Sequence, residues 1–411
     1  MKILLKKFFN LNKTKSHKDA EFEKILNRVG INKIFNAFSK YSNNSEIRFV
    51  GGCVRKILNY EEIDDIDFAT NVKPDITQLI LDKNNINYFK TGLKHGTITA
   101  VINKQHFEIT SLREDITTDG RHADVKFTKD WFIDASRRDF TINSIYADKE
   151  GNLFDPFGGK KDLKNGIIKF IGDPDKRIKE DYLRILRYIR FFNNYSEVTH
   201  KKKIKKIIRK NISGINIISK DRLISELKKI FLSKKFVNIS QDTFSIEILN
   251  LIFPEIKNIN LFNKLNDDAI ELLSTKDFIF LLSLSIIDGT DNTDYFLYKY
   301  NLSNEDKKRI KFLSKNYKNL NEKNFFNEKN LSKLHYNYPE LILDLIDFKI
   351  FSSKKASKNL LDLKKIFLIK SKPIFPIKAQ FLIEQYNLAE GKELGIKIRE
   401  LERLWIKNCF K

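Results

Sequence analysis

Cysteine is nearly absent: Cys53 and Cys409 are the only two in 411 residues. Two thiols so far apart exclude a disulfide framework and a cysteine-based zinc centre. Cys53, beside a pair of glycines, reads as a small buried residue rather than a nucleophile. None of the six histidines is followed by aspartate, which excludes the histidine–aspartate pair of a metal phosphohydrolase domain. Long apolar runs are missing too. The longest, Phe278 to Ile287, is about half of the ~20 residues that a membrane-crossing helix needs. The opening MKILLKKFFNLNK breaks its apolar residues with lysines and has no small-residue cleavage site, unlike a secretory signal. A cytoplasmic protein without a membrane partner is expected. Acidic residues are the last shortage: 53 Asp and Glu face 76 Lys and Arg, a formal charge of +23. An AT-biased genome accounts for much of the lysine, but the imbalance still favours a polyanionic partner such as nucleic acid.

What is present is organised around Arg48 to Thr70, RFVGGCVRKILNYEEIDDIDFAT. Phe49-Val50 reads as the end of a strand, Gly51-Gly52 as a turn, and Cys53 to Leu58 as the start of a helix. Such a turn lets backbone N–H groups approach a phosphate closely. Asp65 and Asp67 flank Ile66 in the next apolar run. Residues two apart in a strand share a face, which sets these carboxylates roughly 6–7 Å apart along the chain. Two hard oxygen ligands beside a phosphate cradle suit Mg²⁺-dependent phosphoryl or nucleotidyl transfer. Taken singly, a Gly-Gly is an ordinary turn and an Asp-x-Asp an ordinary solvated strand face.

Along the chain, residues 1–44 read as a basic helical extension, with Ile31, Ile34, Phe35 and Phe38 at helical spacing. Residues 45–150 carry short β-type runs, Gly96 to Ile102 and His106 to Leu112, with a helix from Asp75 to Leu81. Glu108, inside the second run, is either a third acid for the same site or a surface residue and partner for Arg113. Leu112 to Phe127 is polar and aperiodic and reads as a long functional loop. Arg137 to Ser144, RRDFTINS, follows. From Glu180 the string EDYLRILRYIRFF predicts a helix, on which Asp181 and Arg184 are neighbours and Arg187 continues their stripe. Arg190 falls half a turn away and would reach phosphate or a structural acid. His200 to Asn211, HKKKIKKIIRKN, predicts a basic helix, a solvated face or an RNA contact. Residues 236–411 show helical patterns and almost no strand signal, with a break at Pro373 and Pro376. A final helix should bury Leu394, Ile398, Leu401 and Trp405.

The Gly-Gly and Asp-x-Asp strings together resemble the signature of polymerase-β-like nucleotidyltransferases. VGGCVRKIL, DDIDFAT, DGRHA, RRDFTINS, FDPFGGKKDL and EDYLRILRYIRFF resemble specifically the class II CCA-adding tRNA nucleotidyltransferases and bacterial poly(A) polymerases. Lys56 departs from that pattern, which has an acid after the Arg, and Asp221 replaces a usual Glu in SKDRLISELKKIF. The resemblance implies an α+β architecture: a nucleotidyltransferase head (45–150), a helical neck carrying the nucleotide-selecting motif (151–235), and a helical body and tail holding tRNA (236–411). It implies Mg²⁺ on Asp65 and Asp67, with Gly52 and Arg55 at the triphosphate. Arg138 would contact the nucleotide, Asp139 its ribose, and Asp181, Arg184, Arg187 and Arg190 would complete its pocket. It also implies the reaction, addition of CMP, CMP and AMP to a tRNA 3′ end from CTP and ATP. Poly(A) addition and a non-catalytic RNA-binding protein are the alternatives. A CC-only enzyme would lack the loop that contains DGRHA.

The implied Asp181 and Arg184 pair has a chemical logic. An ionised Asp only accepts hydrogen bonds and Arg only donates. Cytosine and adenine each show an amino donor beside a ring-nitrogen acceptor, whereas guanine and uracil reverse that order. Each mismatched base would face two like groups, and each unmade buried bond costs about 1–3 kcal/mol.

Overall fold

The computed structural model describes residues 22, 24–28, 30–118, 123–322, 324–386 and 389–411. The chain divides into two compact units, one ending at Ile218 and the other beginning at Ser219.

The first unit is built on a seven-stranded mixed sheet. Its strands are β1 (Ile47–Val50), β2 (Asp67–Thr70), β3 (Asn87–Gly92), β4 (Thr97–Ile102), β5 (Gln105–Ser111), β8 (Tyr146–Ala147) and β9 (Leu153–Phe154). They lie side by side in the order β3-β4-β5-β2-β1-β8-β9. Central β2 runs antiparallel to β1 and parallel to β5, with Asp67 in register with Glu108. Alternation along these strands gives the sheet two apolar faces. On one, Phe49 and Phe68 stack at 5.1 Å under Phe35 of α1 (Ile31–Tyr41). Ile31, Ile34, Phe35 and Phe38 are all buried there, as their spacing predicts. On the other, Val50 and Ala69 pack with Trp131, Ala135 and Tyr146. Asp67 is two residues before Ala69 and therefore shares this second face.

Two helices follow strands closely. Gly51, at φ 68°, turns β1 into α2 (Gly52–Leu58), and Pro74 occupies the first turn of α3 (Pro74–Lys83). Proline suits that place because the first N–H groups of a helix lack intrahelical partners. Cys53 is buried in α2 and its thiol pKa is pushed up to about 11 by burial, in keeping with an unreactive packing residue.

Two expectations change. Leu112 to Phe127, expected as a loop, contains an antiparallel pair, β6 (Arg113–Thr118) and β7 (Ala123–Phe127). The pattern that escapes a search for apolar alternation is one of charge: Arg113 and Asp115 turn inward and ion-pair at 3.4 Å, whereas Glu114 and Ile116 are exposed. Residues 119–122, most of the DGRHA string, lie outside the described residues. The helix expected from Glu180 is broken. After α4 (Trp131–Ser136) and α5 (Gly159–Lys164), α6 (Pro174–Glu180) ends at Asp181, which is extended at φ −155°, and α7 (Arg184–Tyr195) begins anew. Asp181 accepts from the Leu183 N–H at 3.2 Å, so its side chain steadies the turn between the two helices rather than riding on one continuous helix. The basic helix is α8 (Lys202–Asn211), held to α6 through Asn211 and Asp175 at 2.8 Å.

The second unit is helical, with no strand among its described residues. Residues 370–378, containing Pro373 and Pro376, form no helix, and the final helix spans Lys392–Lys407. Its inner face is shallower than expected. Only Leu394 is fully buried, while Trp405 packs on Tyr336 and Phe375 at 5.6 and 5.4 Å. Among the described residues no helix is long and apolar enough to cross a membrane.

Candidate active site

The site begins as a cluster of acids at the start of β2. Ile66 is buried, which turns Asp65 and Asp67 to the open side. Asp67 begins the strand and Asp65 lies in the segment just before it, so their shared face rests on alternation that starts ahead of the sheet pairing. Burial, then the charges of Glu108 and Asp65, push the Asp67 carboxyl up to about 6, against the opposing pull of Arg138. A carboxyl raised by its acidic neighbours marks a place where a cation would be favoured. Among the described residues no three His, Cys, Asp or Glu side chains form a ready cage. Two carboxylates fit Mg²⁺ all the same, because that ion commonly takes one or two protein carboxylates and completes its shell with water and phosphate oxygens.

Beside the acids lies an arginine cluster on the same sheet face. Asp134 of α4 receives Arg137 Nη2 at 2.8 Å, Arg138 Nη2 at 3.2 Å and the Tyr146 hydroxyl at 2.6 Å. Burial alone would raise the Asp134 pKa, but the two guanidiniums and Tyr146 hold it well below the carboxylate range. Arg138 also donates from Nε to the Tyr146 hydroxyl at 3.0 Å, and its Nη1 is 3.5 Å from where a side chain on Gly51 would begin. That spacing is ordinary contact, and it is the backbone conformation of Gly51, at φ 68°, that calls for glycine. Arg177 of α6 donates to the carbonyl of Arg138 at 2.5 Å and pairs with Glu180 at 2.5 Å.

Helix α7 adjoins the site through a buried chain of polar groups. Asp139 accepts from Asn143 Nδ2 at 2.9 Å, from the Phe140 N–H at 2.9 Å and from Arg187 Nε at 2.7 Å. Burial would raise its pKa, but Arg187 and these hydrogen bonds draw it down to about 2. Asn143 in turn accepts from Arg55 Nη1. Arg55 is buried, stacked over Phe191 and Tyr195 of α7, with its Nη2 close under Gly52. Arg184 donates to Glu180 at 2.6 Å and to the carbonyl of Arg177 at 2.7 Å, while its backbone N–H bonds to the Asp181 carbonyl at 3.0 Å. Arg190 lies over the Phe191 ring at 4.2 Å.

The fold therefore brings Gly52, Arg55, Asp65, Asp67, Arg138 and Asp139 into one region, with Arg187 bonded into it and Arg184 joined through Glu180 and Arg177. The neighbourhood has an acidic pole and a cationic pole side by side, which suits a polyphosphate carried with a divalent cation. Four contributors were not singled out in the sequence: Asp134, Asn143, Arg177 and Glu180. Asp134 had a signal, since it precedes Arg137 and Arg138 by three and four residues on a short helix. So did Glu180, four before Arg184. Asn143, four residues after Asp139, and Arg177, three before Glu180, carried the same kind of local signal, whereas their bonds to Arg55 and to the Arg138 carbonyl needed the tertiary fold.

Comparison with known proteins agrees with this geometry. Residues 47–169 match the poly A polymerase head domain family, and residues 199–260 match a domain described as a probable RNA and SrmB-binding site of polymerase A. The chain is 33% identical to the mitochondrial CCA tRNA nucleotidyltransferase 1 of Mus musculus over 99% of its own length and 92% of the relative's. It is also 33% identical to the Homo sapiens protein of the same name, over 95% and 89%. Among solved structures, the Bacillus stearothermophilus CCA-adding enzyme in complex with CTP shares the fold at a TM-score of 0.70, with 21% identity, covering 91% of both chains. The Thermotoga maritima CCA-adding enzyme complexed with tRNA matches at 0.61, with 21% identity, over 95% of this chain and 94% of that one. With its head motifs folded into one polar site and its kinship running almost end to end, the chain belongs to the family of CCA-adding tRNA nucleotidyltransferases and poly(A) polymerases.

Proposed function

We propose that this protein is a CCA tRNA nucleotidyltransferase, which adds CMP, CMP and AMP to the 3′ end of tRNA from CTP and ATP without a nucleic-acid template. The observation that carries it is the joining of Asp65, Asp67 and Arg138 in the head to Arg187 of the neck through Asp139, in a chain similar to CCA-adding relatives over nearly its full length. The RNA 3′-hydroxyl oxygen attacks the α-phosphate, a new phosphodiester bond forms, and the bond to the β-phosphate breaks to release pyrophosphate. Asp65 and Asp67 would hold Mg²⁺, which when bound supplies Lewis-acid stabilisation of charge on the phosphates. Gly52, Arg55 and Arg138 bind the triphosphate side. Asp139 orients the ribose end of the pocket through Arg187 and Asn143. Asp181 and Arg184 read the pairing edge of the base, while Arg187 and Arg190 flank it.

On this reading residues 45–150 are the catalytic head, 151–235 the neck, and 236–411 the body and tail that hold tRNA, preceded by an extension over 1–44. The expected cytoplasmic location belongs to the same proposal and is tested by fractionation, two relatives being named as mitochondrial. The activity test offers tRNA lacking its 3′ end to the purified protein with each nucleotide separately. CTP alone should be incorporated, and ATP only after the two cytidines are in place. Asp65→Ala and Asp67→Ala should each lower addition by several orders of magnitude, with the fold intact. If Asp65→Ala retains more than about a tenth of the activity, the metal site is elsewhere.

A further inference from the structure

Asn143 touches more of the nucleotide-binding residues than any role given so far explains. It is 6% exposed, and both ends of its amide are engaged. Oδ1 accepts from Arg55 Nη1, and Nδ2 donates to one oxygen of Asp139 at 2.9 Å. The other oxygen of Asp139 accepts from Arg187 Nε at 2.7 Å. The Asn143 backbone carbonyl also faces Arg138 Nη1 at 3.5 Å. A neutral amide can accept from a guanidinium and donate to a carboxylate at the same time. An aspartate here would keep the first bond but set an oxygen against Asp139. An apolar residue would leave a buried guanidinium and a buried carboxylate each short of a partner.

We propose that Asn143 is a positioning residue that couples Arg55, beneath the Gly51-Gly52 turn of the head, to Arg187 on the neck helix. The chain Arg55–Asn143–Asp139–Arg187 is continuous, and Arg55 also stacks on Phe191 and Tyr195 of the same neck helix. One amide therefore sets two cations, one from each side of the pocket, in a single arrangement. The consequence is that the two arginines contribute to nucleotide affinity as a unit. This rests on the nucleotide-binding role proposed above.

The test is a double-mutant cycle read by equilibrium binding of CTP to the full chain without RNA. Arg55→Lys and Arg187→Lys are made singly and together, with Asn143 intact and again with Asn143→Ala. With Asn143 present, the combined loss of affinity should differ from the product of the single losses by about fivefold or more, as for residues in one network. With Asn143→Ala the losses should multiply, to within about twofold. Thermal unfolding checks that each protein folds cooperatively. Should Asn143→Ala fail that check, Asn143→Asp, which retains the acceptor for Arg55, takes its place with the same expected loss of coupling. Coupling that persists without Asn143, or independent losses in its presence, would overturn the assignment. Failure of the unsubstituted protein to bind CTP would instead overturn the nucleotide-binding reading beneath it.

Discussion

At the scale of single residues, Asp67 carries the clearest conflict between stability and function. Its carboxyl, ordinarily near 3.8, is raised to about 6 by burial and by Glu108 and Asp65. Between those values the folded protein holds a proton that the unfolded chain has already released, so stability falls as pH rises through that window. Above it, the ionised group burdens the fold in the absence of a cation. Asp67→Asn should therefore raise Tm by about 2 °C at pH 7.5 without divalent cation, a rise that should vanish near pH 4, while abolishing nucleotide addition. Thermal scans at the two pH values check this, and an equal shift at both would contradict it. The Asp-x-Asp spacing was legible in the sequence because a period of two needs no tertiary information. The pairing of Asp67 with Glu108 was not, because it depends on β5 lying parallel to β2. Asp139 illustrates the same limit. Its place in RRDFTINS was visible, but its full set of bonds to Asn143, Phe140 and Arg187 exists only once the neck docks on the head.

At the scale of elements, the break between α6 and α7 matters most. A 3.6-residue period runs through the string from Glu180, so periodicity alone predicts one helix. What overrides it is local chemistry: Asp181 is extended and its side chain bonds the Leu183 N–H, a preference that aspartate shares with other capping residues. Across the turn the Arg184 N–H bonds the Asp181 carbonyl at 3.0 Å, while the Arg184 side chain is held by Glu180 and the Arg177 carbonyl. Removing the acceptor should damage selection more than chemistry. Asp181→Ala should lower the use of CTP and ATP and raise misincorporation of UTP or GTP relative to them by about tenfold. Competition assays with all four nucleotides measure the ratio. An even loss across the four would assign Asp181 to the turn alone. The basic helix α8 was legible from its isoleucines, of which Ile208 is fully buried and Ile204 and Ile207 partly so. Lys202, Lys203 and Lys206 are exposed, and Lys205 is half-buried at the flank of that face. Replacing Lys202, Lys205 and Lys206 by Glu should weaken tRNA binding and flatten the salt dependence of log K by about 0.7–0.9 for each phosphate that is no longer neutralised. Anisotropy titrations at several salt concentrations test this, and an unchanged slope would move the RNA surface off α8.

At the scale of the whole molecule, a formal charge of +23 and a chemical site confined to the first unit point to a division of labour. The head motifs are short and chemically constrained, and they made the first unit readable in advance. The second unit is helix after helix of apolar spacing, a pattern that many packings satisfy, and its sequence yielded the class of structure without the arrangement. The half-buried face of the last helix shows why: spacing gives a direction, whereas depth of burial depends on what covers it. A site of this kind should make the protein itself choose C, C and then A. The most direct measurement is to incubate the protein with tRNA lacking its 3′ end and all four nucleotides, then sequence the products. Nearly every extended molecule should end in CCA and stop there. A run of adenosines, or ends of mixed sequence, would contradict it.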